Sequence, residues 1–194
     1  MRALTADVTD EASVKALFEA AGPVDVVIAN AGAAESAPWP HVAGSVECHA
    51  GCEPDRRVPH LPRGACPDGR LGRLIAIAST AGLKGYPYVA PYVAAKHGVV
   101  GLVKALALEV ARRPVTVNAI CPGFLDTEMT ERSVQNIMAK TGKSRDDAMA
   151  ALADTNPQKR LIAPQEVTAM ALYLCAAGSD GVNGQAMAIS GGEV

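Results

Sequence analysis

Short apolar runs rich in β-branched residues alternate with longer helical patterns, and this alternation restricts the fold more than any other feature of the chain. The runs stand at Val24–Ala29, Arg73–Ala78, Val115–Ile120 and Ala186–Ile189. Apolar runs of this length without polar alternation are typical of strands buried on both faces, and intervening helices allow such strands to lie parallel. The sequence therefore predicts an α/β fold, in which helices cover a parallel sheet, in a single domain over 1–194.

Helical patterns with clear ends lie between these runs. Thr9 or Asp10 can cap a first helix, which Gly22-Pro23 ends. A long helix stops before Pro114. Its apolar face is formed by Val99, Leu102, Val103, Leu106 and Val110.

Two glycines, a polar stretch and a last helix complete the pattern. Gly98 and Gly101 lie inside the long helix, where each costs about 1 kcal/mol relative to alanine, so we expect close backbone packing on that face. Residues 124–156 are polar with helical spacing, which predicts a lid. A final helix begins at Pro164 and is closed by Gly178.

The charge and hydropathy of the chain argue against two classes of partner. The net charge is −2 and no run is rich in Lys or Arg, so we expect no nucleic-acid partner. No apolar segment approaches the length that spans a membrane, and residues 1–10 lack the layout of a signal peptide, which predicts a cytoplasmic protein with no membrane partner. Cys121 and Cys175 each stand in an apolar pattern, where a buried thiol is commoner than a disulfide.

Tyr92 and Lys96 carry the clearest chemical signal. They are four residues apart at the start of the long helix, so their side chains share one face. An ammonium near a phenol favours the phenolate, so Lys96 is expected to lower the pKa of Tyr92 from about 10 and to let it give and take a proton. A solvated helix face with a chance Tyr and Lys remains the alternative, because this pair alone is a weak motif.

Ser79 follows a predicted strand directly, and the carboxyl ends of strands in open α/β sheets are where ligands bind. Its hydroxyl is therefore placed to hydrogen-bond a substrate oxygen. Ser79, Tyr92 and Lys96 lie in IASTAGLKGYPYVAPYVAAKHGVVGLVKALALEVA, which VTVNAICPGFLDTEM follows. This segment resembles the active-site segment of the short-chain dehydrogenase/reductase family, and the resemblance covers residues 1 to about 38 and 72–194.

The resemblance implies both a fold and a reaction. The fold would be a three-layer, Rossmann-like, doubly wound parallel sheet. The reaction would be an NAD(P)-dependent oxidoreduction that passes a hydride between a nicotinamide and a secondary alcohol or ketone. Tyr92 would be the acid/base, Lys96 would lower its pKa and bind the nicotinamide ribose, and Ser79 would polarise the carbonyl.

Further residues match positions at which the family binds its cofactor. The positions are Asp7 at the adenine, Asn30, Ala31 and Gly32 at the adenosine ribose, and Pro122, Gly123 and Thr127 beside the nicotinamide. Ser190-Gly191-Gly192 resembles the usual C-terminal Gly-Gly. Structural roles are the alternatives: helix caps for Asp7 and Thr127, turn formation for Asn30 and Gly32, and a strand stop for Pro122-Gly123.

The N-terminal part departs from the family pattern. The chain begins at what resembles the third strand, so the fold is expected to lack its first βαβ unit and the glycine-rich turn that holds the pyrophosphate. The second strand of that unit normally selects between the 2′-hydroxyl and the 2′-phosphate, so the sequence does not separate NAD from NADP. A catalytically inactive fragment is therefore an open alternative.

Residues 39–71 form a second departure, because residues 41–71 hold four prolines and four glycines without a period. Codons for Cys52–Pro59 exist that, read one base later, spell Val-Asn-Leu-Thr-Gly-Val-Phe, which resembles a family motif. We therefore hypothesise that this segment is translated out of frame. A disulfide loop and a zinc site are weaker alternatives. The candidate zinc ligands are Cys48, His49, Cys52, His60 and Cys66.

The substrate follows only from the resemblance. Residues 133–167 look most similar to members that act on 3-oxoacyl thioesters or on 3-hydroxybutyrate. We expect a 3-oxoacyl thioester reductase in fatty acid metabolism, with a 3-hydroxybutyrate-type dehydrogenase as the alternative. Family members are commonly dimers or tetramers, so the intact family predicts a homo-oligomer, although one of its interface helices falls in 39–71.

Overall fold

Four parallel strands form one sheet at the centre of the protein. The computed structural model describes residues 2–32 and 72–194. The strands, which are hydrogen-bonded in chain order, are β1 Val26–Ala29, β2 Gly72–Ile77, β3 Val115–Pro122 and β4 Ala186–Ile189. Every neighbouring pair is parallel. The predicted parallel sheet is confirmed, and the strands differ from the predicted runs by at most two residues at either end.

The described residues contain five α-helices. They are α1 Glu11–Ala21, α2 Ala90–Glu109, α3 Glu128–Thr141, α4 Arg145–Ala153 and α5 Pro164–Cys175. Asp10 is the N-cap of α1, and its carboxylate accepts hydrogen bonds from the backbone N–H groups of Ala12 and Ser13. The long helix α2 ends at Glu109, earlier than the stop that Pro114 predicts, and α5 begins at Pro164 as predicted.

Helices cover both faces of the sheet, because β3 is buried along its whole length and points alternate side chains to opposite sides. One face packs Val117, Ala119 and Cys121 of β3 against Val103 and Ala107 of α2. On the other face, Ile75 and Ile120 pack against Leu174 of α5. These two cores confirm the predicted three-layer, Rossmann-like arrangement.

The segment with α3 and α4 leaves the sheet as a separate unit with its own small core. Val134 of α3 and Ala148 and Leu152 of α4 are buried against one another. The base of this unit is closed where Leu125 and Ile162 form an isolated parallel bridge. We call residues 124–162 the lid segment, because the predicted lid falls here and both of its ends return to the carboxyl edge of β3.

One packing expectation is wrong, and two predictions stay untested. A Cβ on Gly101 would meet nothing within 4 Å, so the close packing expected there is absent. Among the described residues, no helix is long and apolar enough to cross a membrane. The predicted lack of a first βαβ unit stays a prediction. The segment 39–71, which we hypothesise to be translated out of frame, lies outside the described residues.

Candidate active site

Ser79 and Tyr92 meet at the carboxyl edge of the sheet. Ser79 lies two residues beyond β2 and caps a short 3-10 turn, Thr80–Gly82, in which its Oγ accepts a hydrogen bond from the backbone N–H of Ala81 at 3.1 Å. Tyr92 lies in the first turn of α2, where the Ser79 side chain acts on its phenol and favours a lower pKa. The structure thus brings these two predicted site residues together, and their catalytic roles stay predictions.

Lys96 joins them from the next turn of α2. Its Nζ lies 5.6 Å from the centroid of the Tyr92 ring and donates a hydrogen bond to the carbonyl oxygen of Ile77 at 3.0 Å. Since Ile77 is the last residue of β2, this bond fixes the ammonium at the edge of the sheet. The Ser79 hydroxyl, the Tyr92 phenol and the Lys96 ammonium therefore lie together at the carboxyl edge of the sheet, as expected from their spacing in the sequence.

The pKa of Tyr92 departs from the expectation. Burial raises the pKa of Tyr92 above its ordinary value, and the Ser79 side chain only partly opposes the effect. The expected lowering by Lys96 is wrong for the protein without cofactor. The physical reason is that removing a phenolate from water costs more than its partners here return, since the ammonium lies over the ring and is bonded to Ile77.

Gly82 lets the turn after Ser79 touch α2. A Cβ on Gly82 would lie 2.7 Å from the carbonyl oxygen of Lys96 and 3.0 Å from a methyl group of Val100. Only a residue without a side chain allows this approach. Close backbone packing, which the sequence led us to expect at Gly98 and Gly101, is found at this glycine and not at Gly101.

The predicted ribose turn lies beside the same ammonium. Asn30, Ala31 and Gly32 follow β1 directly and are exposed. A Cβ on Gly32 would lie 3.8 Å from Nζ of Lys96. The structure thus brings this turn, from a neighbouring strand, to the predicted catalytic residues.

The predicted nicotinamide segment lies at the end of β3. Pro122 is the last residue of β3, and the N–H of Gly123 donates to the carbonyl oxygen of Ile189 in β4 at 3.0 Å. Thr127 occupies the N-cap position of α3, but its side chain makes no capping hydrogen bond. The segment therefore runs from the sheet edge into the lid segment.

Asp7 has a local explanation. Its carboxylate accepts hydrogen bonds from the backbone N–H and the hydroxyl of Thr9, at 2.9 and 2.7 Å, and these bonds lower its pKa. The cap of α1 is Asp10, so the capping role considered for Asp7 is wrong. Asp7 orders the turn before α1, and its proposed adenine contact stays a prediction.

Comparison with known proteins identifies the same family as the sequence motifs do. Residues 58–193 match a family model described as enoyl-(acyl carrier protein) reductase. The protein named "Putative ketoacyl reductase" of Streptomyces coelicolor is 37% identical over 187 residues, which cover 94% of this chain and 72% of that protein. The chain belongs to the short-chain dehydrogenase/reductase family. D-beta-hydroxybutyrate dehydrogenase of Rhizobium meliloti is 37% identical over 137 residues, which cover 69% of this chain and 53% of that protein.

Solved structures share the fold of this chain. A variant of actinorhodin polyketide ketoreductase, solved with NADPH, is 33% identical with a TM-score of 0.76, over 98% of this chain and 76% of that one. Sorbitol-6-phosphate 2-dehydrogenase from Erwinia amylovora is 29% identical with a TM-score of 0.83, over 97% of this chain and 77% of that one. The Rossmann-like fold of this short-chain dehydrogenase/reductase is thereby established.

Sequence reasoning missed a polar cluster next to this short-chain dehydrogenase/reductase site. The cluster consists of Thr80, Lys84, Tyr86 and Glu193, and we call it the Glu193 cluster. Tyr86 and Glu193 are hydrogen-bonded although 107 residues separate them. Residue spacing within one element cannot predict a contact over this separation. The one available signal was a charged residue directly after Gly191-Gly192.

The zinc alternative falls on residues that the structure does not describe. Cys48, His49, Cys52, His60 and Cys66 all lie within 33–71. Within the described ranges, no three His, Cys, Asp or Glu side chains are grouped to hold a metal. Cys121 is buried, and burial raises its pKa to about 11, which fits the packing role predicted for it.

Proposed function

We propose that this protein reduces a ketone to a secondary alcohol with NADH or NADPH. The observation that carries the proposal is that Ser79, the Tyr92 phenol and the Lys96 ammonium meet at one sheet edge: Ser79 acts on the pKa of Tyr92, and Nζ of Lys96 lies 5.6 Å from the centroid of the Tyr92 ring. A donor hydroxyl, a proton-carrying phenol and a cation at one sheet edge suit the protonation of a carbonyl oxygen. Ketoreductase and hydroxybutyrate dehydrogenase relatives support the same reaction type.

Each of the three side chains has a distinct role in the proposed reaction. Ser79 donates a hydrogen bond to the carbonyl oxygen, which polarises the carbon for attack. Tyr92 donates its phenolic proton to that oxygen as the alcohol forms. Its raised pKa keeps the proton in place at neutral pH before the substrate arrives. Lys96 then offsets the negative charge left on the phenolate.

The residues at the site fit a nicotinamide cofactor. Gly32, in the turn after β1, faces the Lys96 ammonium, and this ammonium and the Tyr92 hydroxyl are suitable partners for ribose hydroxyls. Gly123 directly follows β3, and a Cβ there would lie 3.3 Å from Oε2 of Glu193. When bound, the nicotinamide supplies the hydride. Asn30, Ala31, Pro122 and Thr127 would border it.

For the substrate, we propose a 3-oxoacyl thioester. The ketoacyl reductase of Streptomyces coelicolor, which aligns with 94% of the chain, supports this class. A 3-hydroxybutyrate-type dehydrogenase is the second candidate, because the Rhizobium meliloti enzyme has the same identity of 37% over a shorter part of the chain. Both reactions convert a 3-oxo group and a 3-hydroxyl, so they demand the same proton donor.

The first experiment mixes purified protein with NADPH or NADH and either acetoacetyl-CoA or acetoacetate, and follows absorbance at the nicotinamide band. Turnover of the thioester alone supports the reductase, and turnover of the free acid supports the second candidate. Tyr92→Phe is expected to lower kcat by about 100- to 10,000-fold, the usual range for a lost acid/base. Cofactor fluorescence is expected to show that binding persists in Tyr92→Phe.

The matched control is Tyr88→Phe, which removes the same hydroxyl from a side chain that is 73% exposed. This control is expected to retain wild-type kcat. Retention of more than a tenth of kcat in Tyr92→Phe would refute the proposed acid/base. Absence of both cofactor binding and turnover in the wild type would instead favour the alternative of an inactive fragment.

We further propose that the protein works as a homo-oligomer in the cytoplasm. Large apolar side chains exposed on two helices support self-association: Leu108 on α2 is 80% exposed and Leu172 on α5 is 66% exposed. The free thiols of Cys121 and Cys175 fit a reducing compartment. Light scattering after size-exclusion chromatography tests the assembly, and a monomer at micromolar concentration would contradict it.

A further inference from the structure

A buried carboxylate ties the segment after β4 to the connection between Ser79 and α2. The side chain of Glu193 is 2% exposed. Its Oε1 accepts a hydrogen bond from the Tyr86 hydroxyl at 2.5 Å and lies 3.0 Å from Nζ of Lys84. Lys84 also lies over the Tyr86 ring, 5.0 Å from its centroid. Glu193 therefore holds two residues of the connection that leads from the Ser79 turn to Tyr92.

The hydrogen bonds continue from Tyr86 to the residue next to Ser79. The Tyr86 hydroxyl lies 2.6 Å from Oγ1 of Thr80. Because the Tyr86 hydroxyl donates its hydrogen bond to Glu193, the Thr80 hydroxyl must donate the hydrogen bond between Thr80 and Tyr86. Burial and the bond to Glu193 both raise the pKa of Tyr86, so the phenol stays protonated and this direction is kept. Thr80 is buried and begins the turn that Ser79 caps.

The same cluster touches the lid segment. The Tyr86 ring packs edge to face on Phe124, with the centroids 6.4 Å apart and the planes at 84°. Phe124 in turn packs on the core of α3 and α4. The Glu193 cluster thus joins the Ser79 turn, the segment after β4 and the base of the lid segment.

The second carboxylate oxygen points toward the predicted nicotinamide segment. Oε2 of Glu193 is buried and has no hydrogen-bond partner within the described parts of the chain. A Cβ on Gly123 would lie 3.3 Å from it. Burying a carboxylate oxygen without a partner reduces stability. Because burying this Glu193 oxygen reduces stability, the groups that Glu193 orients explain its presence better than any stability it adds.

We propose that Glu193 is a positioning residue that acts through Tyr86 and Thr80 to hold the Ser79 hydroxyl in place for the substrate carbonyl. This role rests on the proposed ketone reduction. Glu193 touches neither Ser79 nor Tyr92 directly. Its effect is the alignment of the Ser79 turn between β2 and α2, because the turn is held on one side by Gly82 against α2 and on the other by this relay.

The test compares Glu193→Gln, Tyr86→Phe and the double variant. Each single variant is expected to lower kcat for acetoacetyl-CoA about five- to twentyfold, with an unchanged KM for NADPH and a midpoint of thermal unfolding within about 2 °C of the wild type. Because both residues act in one relay, the kcat of the double variant is expected to be no lower than that of the less active single variant. The matched controls, Glu109→Gln and Tyr88→Phe, change exposed side chains and are expected to keep wild-type kcat.

Hydrogen exchange supplies a measurement that does not need turnover. Glu193→Gln is expected to speed amide exchange in residues 80–89 at least fivefold while the exchange of β3 stays unchanged. Unchanged exchange in 80–89 would overturn the positioning role even if the protein turned out to be no reductase. If the wild type reduces neither substrate, the proposed function fails, and faster exchange in 80–89 would still support the relay.

Three further kinetic outcomes would overturn the proposal. The first is wild-type kcat in Glu193→Gln. The second is an additive loss in the double variant, which would show that the two residues act separately. The third is a parallel fall of the unfolding midpoint and kcat in Glu193→Gln, since a residue that serves only stability produces that pattern.

Discussion

Replacing Gly82 by alanine is the change that most directly tests how the active-site turn is packed. The new Cβ would lie 2.7 Å from the carbonyl oxygen of Lys96 and 3.0 Å from its carbonyl carbon and from Cγ2 of Val100. The Val100 methyl group belongs to a buried side chain, and the Lys96 carbonyl is part of the α2 backbone. Neither can rotate away, so the turn and the helix must separate.

The size of the effect follows from these distances. Ordinary contact between such atoms is at about 3.5 Å, so the turn must retreat by roughly 0.8 Å. Overpacking of this kind costs about 1–3 kcal/mol of unfolding free energy. The turn carries Ser79 and the helix carries Tyr92 and Lys96, so the retreat pulls the predicted catalytic groups apart. A displacement near 1 Å costs up to about 100-fold in rate, and we expect kcat/KM to fall about 10- to 100-fold.

Urea denaturation and acetoacetyl-CoA reduction measure the two effects. The matched control is Gly101→Ala on the same helix, where the new Cβ would meet nothing within 4 Å. Because alanine is the better helix former, this control is expected to gain about 1 kcal/mol and to keep its activity. Wild-type stability and activity in Gly82→Ala would refute the reasoning. A destabilised Gly101→Ala would show that this face of α2 is covered by something else.

Three further predictions follow from the pKa shifts and from one glycine. In the protein without cofactor, the phenol of Tyr92 should ionise above pH 10, seen as the ultraviolet transition that Tyr92→Phe lacks; a transition well below pH 10 would contradict the burial effect. Unfolded tyrosines release their protons near pH 10, before the buried Tyr86 does, so the unfolding free energy should fall as the pH rises above about 10, and less so in Tyr86→Phe. Gly191→Ala should lose about 2–4 kcal/mol in urea denaturation, because its φ is +61° and its Cβ would lie within the amide group of Asn156; a loss below about 1 kcal/mol would contradict this.

The strands and the triad were predictable because their signals are local. A run such as Val115–Ile120 is rich in β-branched residues and carries no charge, which is typical of a strand buried between two layers. Tyr92 and Lys96 meet because four residues make about one helical turn, and Ser79 joins them because it closely follows the strand before that helix. Each inference uses neighbours within one element or one connection.

What the sequence did not reveal depends on tertiary contacts. The sign of the Tyr92 pKa shift is set by burial, which spacing along one helix does not determine. Gly82, rather than Gly101, is the close contact because of where the turn crosses α2. Glu193 reaches Tyr86 across 107 residues, so its role appears only once β4 lies beside β3.

One βαβ unit carries all three proposed proton-donating residues. Variants can therefore produce two distinct defects, a loss of kcat or a loss of cofactor binding. Ser79 follows β2, Tyr92 and Lys96 lie on α2, and β3 closes the unit by pairing with β2 along six residues of each strand. The proposed cofactor contacts instead come from β1, β3 and the lid segment. A change within the unit, such as Gly82→Ala, should therefore lower kcat while cofactor binding persists. A change at Gly32 or Thr127 should weaken cofactor binding while Ser79, Tyr92 and Lys96 keep their places.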